Sequence, residues 1–221
     1  MRMHVGLADL EQRQTSLYSC DMGTAKVDLS ARERLLAAAN ELFYEEGVHT
    51  VGIDRVIERA GVAKASLYST FGSKEELVRA YLEARAVARR ERIERRIAKI
   101  DGPRGKILGV FDLMGETVAE PGFRGCAFVN ASAEGPKGPS RIRQTCADSR
   151  GWLRQMFTDL SREAGAKKPE LVGRRLTLVY DGAVVGAPLD PDRRLVAAEA
   201  RAMAEELLDE HIGRPRRKQR S

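Results

Sequence analysis

The 221-residue sequence is poor in the residues that build metal, redox and covalent sites. Its three cysteines, Cys20, Cys126 and Cys146, are widely spaced and form no CxxC pair. This pattern argues against a disulfide framework and against a zinc site, so we expect reduced thiols in a cytoplasmic protein. The three histidines are isolated, without metal-ligand spacing. We predict no metal and no cofactor.

Long apolar runs are absent as well. No stretch approaches the roughly 20 residues of a membrane-spanning helix, and the first residues are too polar for a signal peptide. The sequence contains no nucleophile elbow, glycine-rich phosphate loop or metal motif. We therefore predict neither a membrane partner nor an enzyme. A thiol nucleophile at Cys126 acting with His211 and an acid is the remaining enzymatic alternative.

Helical periodicity dominates what the sequence does contain, and no β alternation is evident, so the predicted fold is all-α. Ser30 and Glu33 fit a capping box at the start of the first helix, and Gly47 is suited to end it. Thr50 is predicted to cap a second helix that ends at Gly61. A short third helix is predicted over residues 64–71.

Ser73 and Glu76 form a second capping box, from which a long helix runs towards Ile100. Further helices are predicted at about residues 104–119, 124–133, 139–165, 169–187 and 191–212. Four parts follow from these breaks: an extension expected to be flexible (1–29), a first helical part with a helix-turn-helix pattern (30–78), a second helical part (79–212) and a basic tail (213–221).

The outward face of the third helix is suited to DNA. Its polar, small and cationic side chains include no carboxylate, and a face that enters the major groove needs donors for base edges and phosphates. The N-termini of the second and fourth helices offer free N–H groups for phosphates. The predicted DNA contacts are Thr50, Lys64, Ala65, Ser66, Tyr68, Ser69, Thr70 and Lys74. The net charge of +6 mildly favours a polyanionic partner.

The same stretch resembles the DNA-binding signature of the TetR family of bacterial transcription regulators, across about residues 30–85. The matching residues share the order and spacing of that signature: Gly47, Ala60, Gly61, Val62, Leu67, Tyr68, Phe71, Ser73, Lys74, Glu75 and Leu77. Ala63, Ala65 and Thr70 depart from residues that are common there, so the operator sequence is left open. Ala63 in particular lacks the hydroxyl of the serine often found at that position.

The resemblance implies a helix-turn-helix DNA-binding domain over residues 30–78 and a helical regulatory and dimerisation domain over residues 79–212. In the second domain it implies a homodimer built by the last two helices and an effector pocket among the middle helices. The apolar pattern of the last helices gives Leu176, Val179, Ala183, Ala198, Ala202 and Leu207 as candidate dimer contacts. The middle helices combine soft apolar and polar side chains, as small-molecule sites do. The candidate pocket residues are Phe111, Met114, Cys126, Phe128, Asn130, Trp152, Met156 and Tyr180. An ordinary buried core is the alternative explanation for both sets.

These expectations combine into a homodimeric repressor that a small-molecule ligand releases from its double-stranded DNA operator. In that mechanism the ligand displaces the long fourth helix. The two DNA-binding domains of the dimer then no longer match the spacing of the operator half-sites. A DNA-binding activator, or a regulator that responds to a protein partner, is the alternative within the same class. The effector, the regulated genes and the sign of regulation are not readable from the sequence.

Overall fold

The computed structural model describes residues 29–134 and 140–212. These residues form nine α-helices and one short 3₁₀ helix and contain no strand, which confirms the predicted all-α fold. Except for residue 29, the predicted N-terminal extension and basic tail lie outside the described residues. Within the described ranges, no helix combines the length and apolar character needed to cross a bilayer.

Every predicted helix has a counterpart in the structure. The helices are α1 (Ala31–Glu46), α2 (Ile53–Ala60), α3 (Lys64–Phe71), α4 (Lys74–Ile97), α5 (Pro103–Val118), α6 (Ala127–Glu134), α7 (Arg141–Glu163), α8 (Pro169–Gly186) and α9 (Arg193–Ile212), with the 3₁₀ helix at Ala187–Leu189.

The start of α1 and the turn between α2 and α3 follow their sequence signals. Ser30 Oγ accepts from the backbone N–H of Glu33 at 3.3 Å, and the Glu33 carboxylate accepts from the backbone N–H of Ser30 at 2.8 Å. This is the predicted capping box. Gly61 ends α2 with φ +61°, a left-handed conformation that glycine adopts without a Cβ clash.

The prediction that Thr50 caps α2 is wrong. The N-cap is Gly52, and the backbone N–H of Val56 donates to its carbonyl. Thr50 lies in a preceding turn that closes when the N–H of Val51 donates to the carbonyl of Gly47 at 3.3 Å. Val51 is fully buried in the core, and the helix cap lies two residues later than predicted, at Gly52 instead of Thr50.

The chain divides into two compact units. The first comprises Met1–Glu91 and Ala127–Ala147, and the second comprises Arg92–Cys126 and Asp148–Ser221. This grouping places α6 and the first residues of α7 with the helix-turn-helix, whereas the sequence predicts them within the regulatory domain. The functional boundary between residues 78 and 79 stays a prediction.

The core of the first unit lies where α1 meets the start of α4. The rings of Phe43 and Tyr81 meet edge to face at 5.7 Å, and Leu35, Leu67 and Leu77 are fully buried. Burial of these large side chains supplies most of the stabilisation, at roughly 25 cal/mol per Å² of apolar surface. One side of α3 therefore packs into this core, and the other side of α3 is exposed to solvent.

The second unit is organised around an aromatic cluster. Phe111 of α5 stacks on Phe157 of α7 with 5.7 Å between ring centroids, and Tyr180 of α8 lies edge-on to both. Phe111, Phe157 and the neighbouring Met114 are almost completely buried. The cluster is thus closely packed core in this structure.

Candidate nucleic-acid interface

Helix α3 presents a polar face to solvent. Leu67 is completely buried and holds the helix in place, while Lys64, Ala65, Tyr68, Ser69 and Thr70 are exposed. Ser66 is half-buried. Of the six side chains predicted on this helix to contact DNA, five are therefore exposed to solvent and only Ser66 is partly covered. An exposed helix whose opposite side is anchored can enter a DNA groove without losing core contacts.

An acidic residue from α2 reaches this face. Lys64 Nζ lies 2.8 Å from Asp54 Oδ1, and this hydrogen bond, with the charge of Asp54, raises the pKa of Lys64. Both side chains are well exposed, so the pair contributes little to stability. Helix α3 itself carries no carboxylate, but its lysine is paired in the free protein. The sequence of α3 alone does not reveal this pair, because Asp54 lies on α2.

Two hydroxyls of the face are turned back onto their own helix. Ser69 Oγ and Thr70 Oγ1 both donate to the backbone carbonyl of Ser66, at 3.2 and 2.6 Å. Hydroxyl oxygens keep acceptor capacity in such bonds, and their donors can be released by a rotamer change. Contact of either residue with DNA remains a prediction.

An ion pair and a hydrogen bond hold α2 and the turn that follows it on α1. Arg59 of α2 makes a bidentate pair with Glu41 of α1, with its shortest contact at 2.8 Å. Arg34 of α1 donates to the carbonyl of Gly61 at 3.2 Å, in the turn between the reading helices. These contacts join residues 18 and 27 positions apart, so no local pattern in the sequence could have revealed them.

The helix N-termini suited to phosphates are only partly capped. Neither Gly52 before α2 nor Ala63 before α3 makes a side-chain capping bond, as expected for residues without a side-chain acceptor. Thr50 is exposed near the first of these ends. At the start of α4, Ser73 Oγ accepts from the N–H of Glu76 at 3.2 Å, and the half-buried Lys74 follows Ser73 directly.

Comparison with known proteins agrees with this geometry. A family profile described as bacterial regulatory proteins of the tetR family matches residues 35–81. A TetR-family transcriptional regulator from Streptomyces coelicolor is 33% identical, with a TM-score of 0.76, over 82% of this chain and 96% of that one. The chain belongs to the TetR family. It is thus a DNA-binding transcription regulator of the helix-turn-helix type.

Two further relatives differ in what they cover. The reduced form of NemR from E. coli is 23% identical with a TM-score of 0.72, over 80% of this chain and 95% of that one, which shows a shared fold. FasR of Mycolicibacterium smegmatis, a helix-turn-helix transcriptional activator, is 48% identical over 52 residues. That match spans 24% of each protein, so it compares only a quarter of either chain.

In this TetR-family protein, the eight predicted pocket residues do not form one group. Phe111 and Met114 are buried in the core of the second unit, and Trp152, Met156 and Tyr180 pack partly buried against that core. Cys126 is half-buried at the end of a segment of the second unit. Phe128 and Asn130 instead belong to α6 of the first unit, where Arg89 covers the Phe128 ring at 4.9 Å.

A surface depression of about 410 Å³ lies between α5 and α9. Of the predicted pocket residues it includes only Phe111. The other residues around it combine small apolar and charged side chains: Asp112, Gly115, Glu116, Ala119, Arg194, Ala197, Ala198 and Arg201. Arg201 Nε donates to Asp112 Oδ1 at 2.6 Å, so an ion pair stands at its edge.

The predicted dimer contacts need a correction. Leu176 and Ala183 are buried in the protomer's own core, where a second subunit cannot reach them. Val179 and Leu207 are half-buried against the same core, whereas Ala198 and Ala202 are exposed. The exposed large apolar residues of this region are instead Leu178 and Val185 on α8, Leu189 in the 3₁₀ helix, and Leu195 and Met203 on α9.

No group of three or more potential metal-binding side chains occurs among residues 29–134 and 140–212. His211, the proposed partner of a Cys126 nucleophile, lies 3.0 Å from Arg175 through its Nε2 atom. That contact occupies one of the two ring nitrogens that could act as a general base. The arrangement gives no support to a thiol–imidazole pair.

Replacing Lys74 with alanine should weaken binding to all DNA sequences alike. The cation stands at a helix N-terminus, and neutralising one phosphate changes the salt dependence of binding by about one unit of slope. Titrations of labelled duplex at several salt concentrations test this. The matched control is Lys167→Ala, which removes an exposed lysine of the second unit and should leave the slope unchanged. Equal slopes for both variants would contradict the assigned contact.

Proposed function

We propose that this TetR-family protein is a homodimeric repressor that binds its operator through α3 and leaves it when a small molecule binds the second unit. The observation that carries the DNA-binding part is the exposed polar face of α3, a helix that itself contains no carboxylate, above the buried Leu67. The effector remains unidentified. A cytoplasmic location follows from the proposed role, since a bacterial operator lies in that compartment.

Support for a dimer comes from the exposed apolar residues of α8 and α9. On α8, Leu178, Gly182 and Val185 are separated by four and three residues, a spacing that places them along one helix face, and the exposed Leu189 follows in the 3₁₀ helix. Leu195, Ala202 and Met203 extend the apolar surface on α9, where Met203 is 52% exposed. Apolar surface of this kind favours association. A two-fold dimer would present two α3 helices to successive turns of DNA.

A carboxylate placed in that face should dissociate the dimer. We expect Leu178→Glu to weaken self-association more than about 100-fold, because an unpaired charge buried in an interface costs several kcal/mol. Analytical ultracentrifugation over a range of protein concentrations measures this. Val87→Glu is the control, since Val87 is also an exposed apolar residue, 42% exposed, but on α4. Unaltered self-association of the Leu178 variant would contradict the proposed interface.

Support for ligand release comes from α4. This helix is continuous from Lys74 to Ile97, and its residues belong to both compact units. In the second unit Arg92 pairs with Glu120 at 2.8 Å, and Arg96 pairs with Glu116, a residue of the α5–α9 depression. A ligand in the depression would compete with Arg96 for Glu116. Loss of the Arg96–Glu116 pair would free the C-terminal end of α4 to move.

The test of release is thermodynamic. A ligand can shift the DNA-bound equilibrium only by its difference in affinity for the two states. Compounds found by thermal shift should be titrated calorimetrically into the free protein and into the protein–operator complex. Repression by ligand release requires weaker binding to the complex. Equal affinity for both forms would contradict it.

Activation is the second candidate, and the activator FasR, through its match of 48% over 52 residues, favours it. An in vitro transcription assay on the selected operator separates the two. A repressor lowers transcript yield when added alone, and an activator raises it. A regulator that responds to a protein partner would keep the same operator affinity in the presence of every compound of the ligand screen.

A further inference from the structure

Helix α6 ends in a carboxylate that holds the main chain of the DNA-binding part. Glu134, the last residue of α6, accepts a hydrogen bond from the backbone N–H of His49 at 2.9 Å, across 85 positions in the sequence. A negative charge at a helix C-terminus is unfavourable to the helix dipole. Local helix preference therefore does not explain the placement of Glu134, whereas the bond to His49 does.

Gly47 provides the space for this contact. A Cβ built on Gly47 would lie 2.7 and 2.8 Å from the two carboxylate oxygens of Glu134, so the carboxylate occupies the room that a side chain would need. The φ of Gly47 is +94°, a backbone conformation that residues with a Cβ rarely adopt. Gly47 is thus required both to end α1 and to admit Glu134.

The same stretch of main chain is held from a second direction. Lys74 Nζ donates to the carbonyl of His49 at 3.4 Å, so His49 is bound through its N–H by Glu134 and through its C=O by Lys74. Burial lowers the pKa of Lys74, and the charge of Glu134 opposes that effect. Thr50 follows His49 directly, and α2 begins three residues later. One residue of α6 thereby secures the region between two predicted phosphate contacts.

We infer that Glu134 is a positioning residue for DNA binding: its carboxylate fixes the α1–α2 turn and the neighbouring Lys74 in the geometry that contacts phosphates. Through it, the C-terminal end of α6 sets the affinity of the protein for DNA. The inference rests on the proposed DNA contacts of Thr50 and Lys74. A conformational change that withdraws the end of α6 would release the turn without touching α3.

The direction in which DNA affinity changes when Glu134 is replaced distinguishes a positioning role from a purely electrostatic one. A carboxylate close to DNA repels phosphates, so a purely electrostatic role predicts tighter binding whenever the charge is removed. A positioning role predicts weaker binding when the acceptor is removed. It also predicts that an uncharged acceptor of the same length restores binding. Alanine and glutamine at position 134 distinguish the two explanations.

The experiment measures the Kd of the full-length protein for its selected operator, over a series of salt concentrations. We expect Glu134→Ala to weaken binding about five-fold, the effect of losing one hydrogen bond that orders the site. Glu134→Gln, whose amide oxygen can accept from His49, should bind at least as tightly as wild type. Both should keep the wild-type salt slope, because Glu134 neutralises no phosphate, whereas Lys74→Ala should lower the slope by about one.

Circular dichroism verifies the fold of each variant. If Glu134→Ala is unfolded, Glu134→Asp takes its place, because it keeps the charge but shortens the reach to His49, and it should also weaken binding. Unchanged or tighter binding by the alanine or aspartate variant, or equal weakening by alanine and glutamine, would overturn the inference. A wild-type protein that selects no DNA sequence would instead contradict the proposed function, so the two failures are distinguishable.

Discussion

Replacing Gly173 with alanine is expected to lower the free energy of unfolding by about 2–3 kcal/mol, at the upper end of overpacking effects. Gly173 lies in α8 where that helix meets α7. A Cβ there would stand 2.2 Å from Thr158 Oγ1, 2.8 Å from its backbone N and 2.9 Å from its Cα. A rotamer change could move the hydroxyl, but the backbone atoms of Thr158 can yield only if α7 and α8 separate.

The control for Gly173 is a glycine in a similar helix with free space around it. Gly151 lies inside α7, and a Cβ added to it meets nothing within 4 Å. Gly151→Ala should therefore raise stability by roughly 0.5–1 kcal/mol, the ordinary gain of helix propensity. Urea unfolding at one protein concentration compares the two variants. Shifts of the same sign and size would show that α7 and α8 are not in close contact at Gly173.

A carboxylate on the reading face should abolish operator binding. We expect Ala65→Glu to weaken binding at least about 100-fold, because a like charge brought against phosphates and base acceptors costs several kcal/mol. Ala65 is exposed in the first turn of α3, a turn without an acidic residue. Glutamate there favours the helix dipole, so the helix itself should be slightly stabilised. Loss of binding would then not come from unfolding.

Gln155→Glu is the matched control for Ala65→Glu. It adds the same single negative charge at an exposed position, but on α7 in the second unit. Electrophoretic mobility shifts or fluorescence anisotropy with the selected operator measure both proteins. Equal, small losses for the two variants would mean that only net charge matters. That result would remove α3 from the interface.

The DNA-reading part was largely predictable because glycines mark its boundaries. Gly61 and Gly72 bracket α3, and the predicted range of residues 64–71 matches Lys64–Phe71. The start of α2 was not predictable in the same way. A threonine is a good cap, but burial of Val51 decides where the helix can begin, and that depends on the tertiary core.

The faces of α8 were harder to assign because apolar residues occur on both of them. Leu176 is fully buried, whereas Leu178, two positions on, is 58% exposed. A pattern of apolar spacing contains both phases and does not distinguish the protomer core from a surface that awaits a partner. The Glu134–His49 contact could not be predicted from the sequence for another reason. It joins residues 85 positions apart, and its donor is a main-chain N–H, which every residue but proline has.

The most direct test of the central claim is selection of bound sequences from a random pool of DNA duplexes, at two salt concentrations, with purified protein. A two-fold dimer that reads bases through α3 predicts an enriched pseudo-palindrome whose half-sites are about one helical turn apart, at both salt concentrations. A pool without an enriched motif, together with binding that disappears at moderate salt, would contradict sequence-specific recognition by α3.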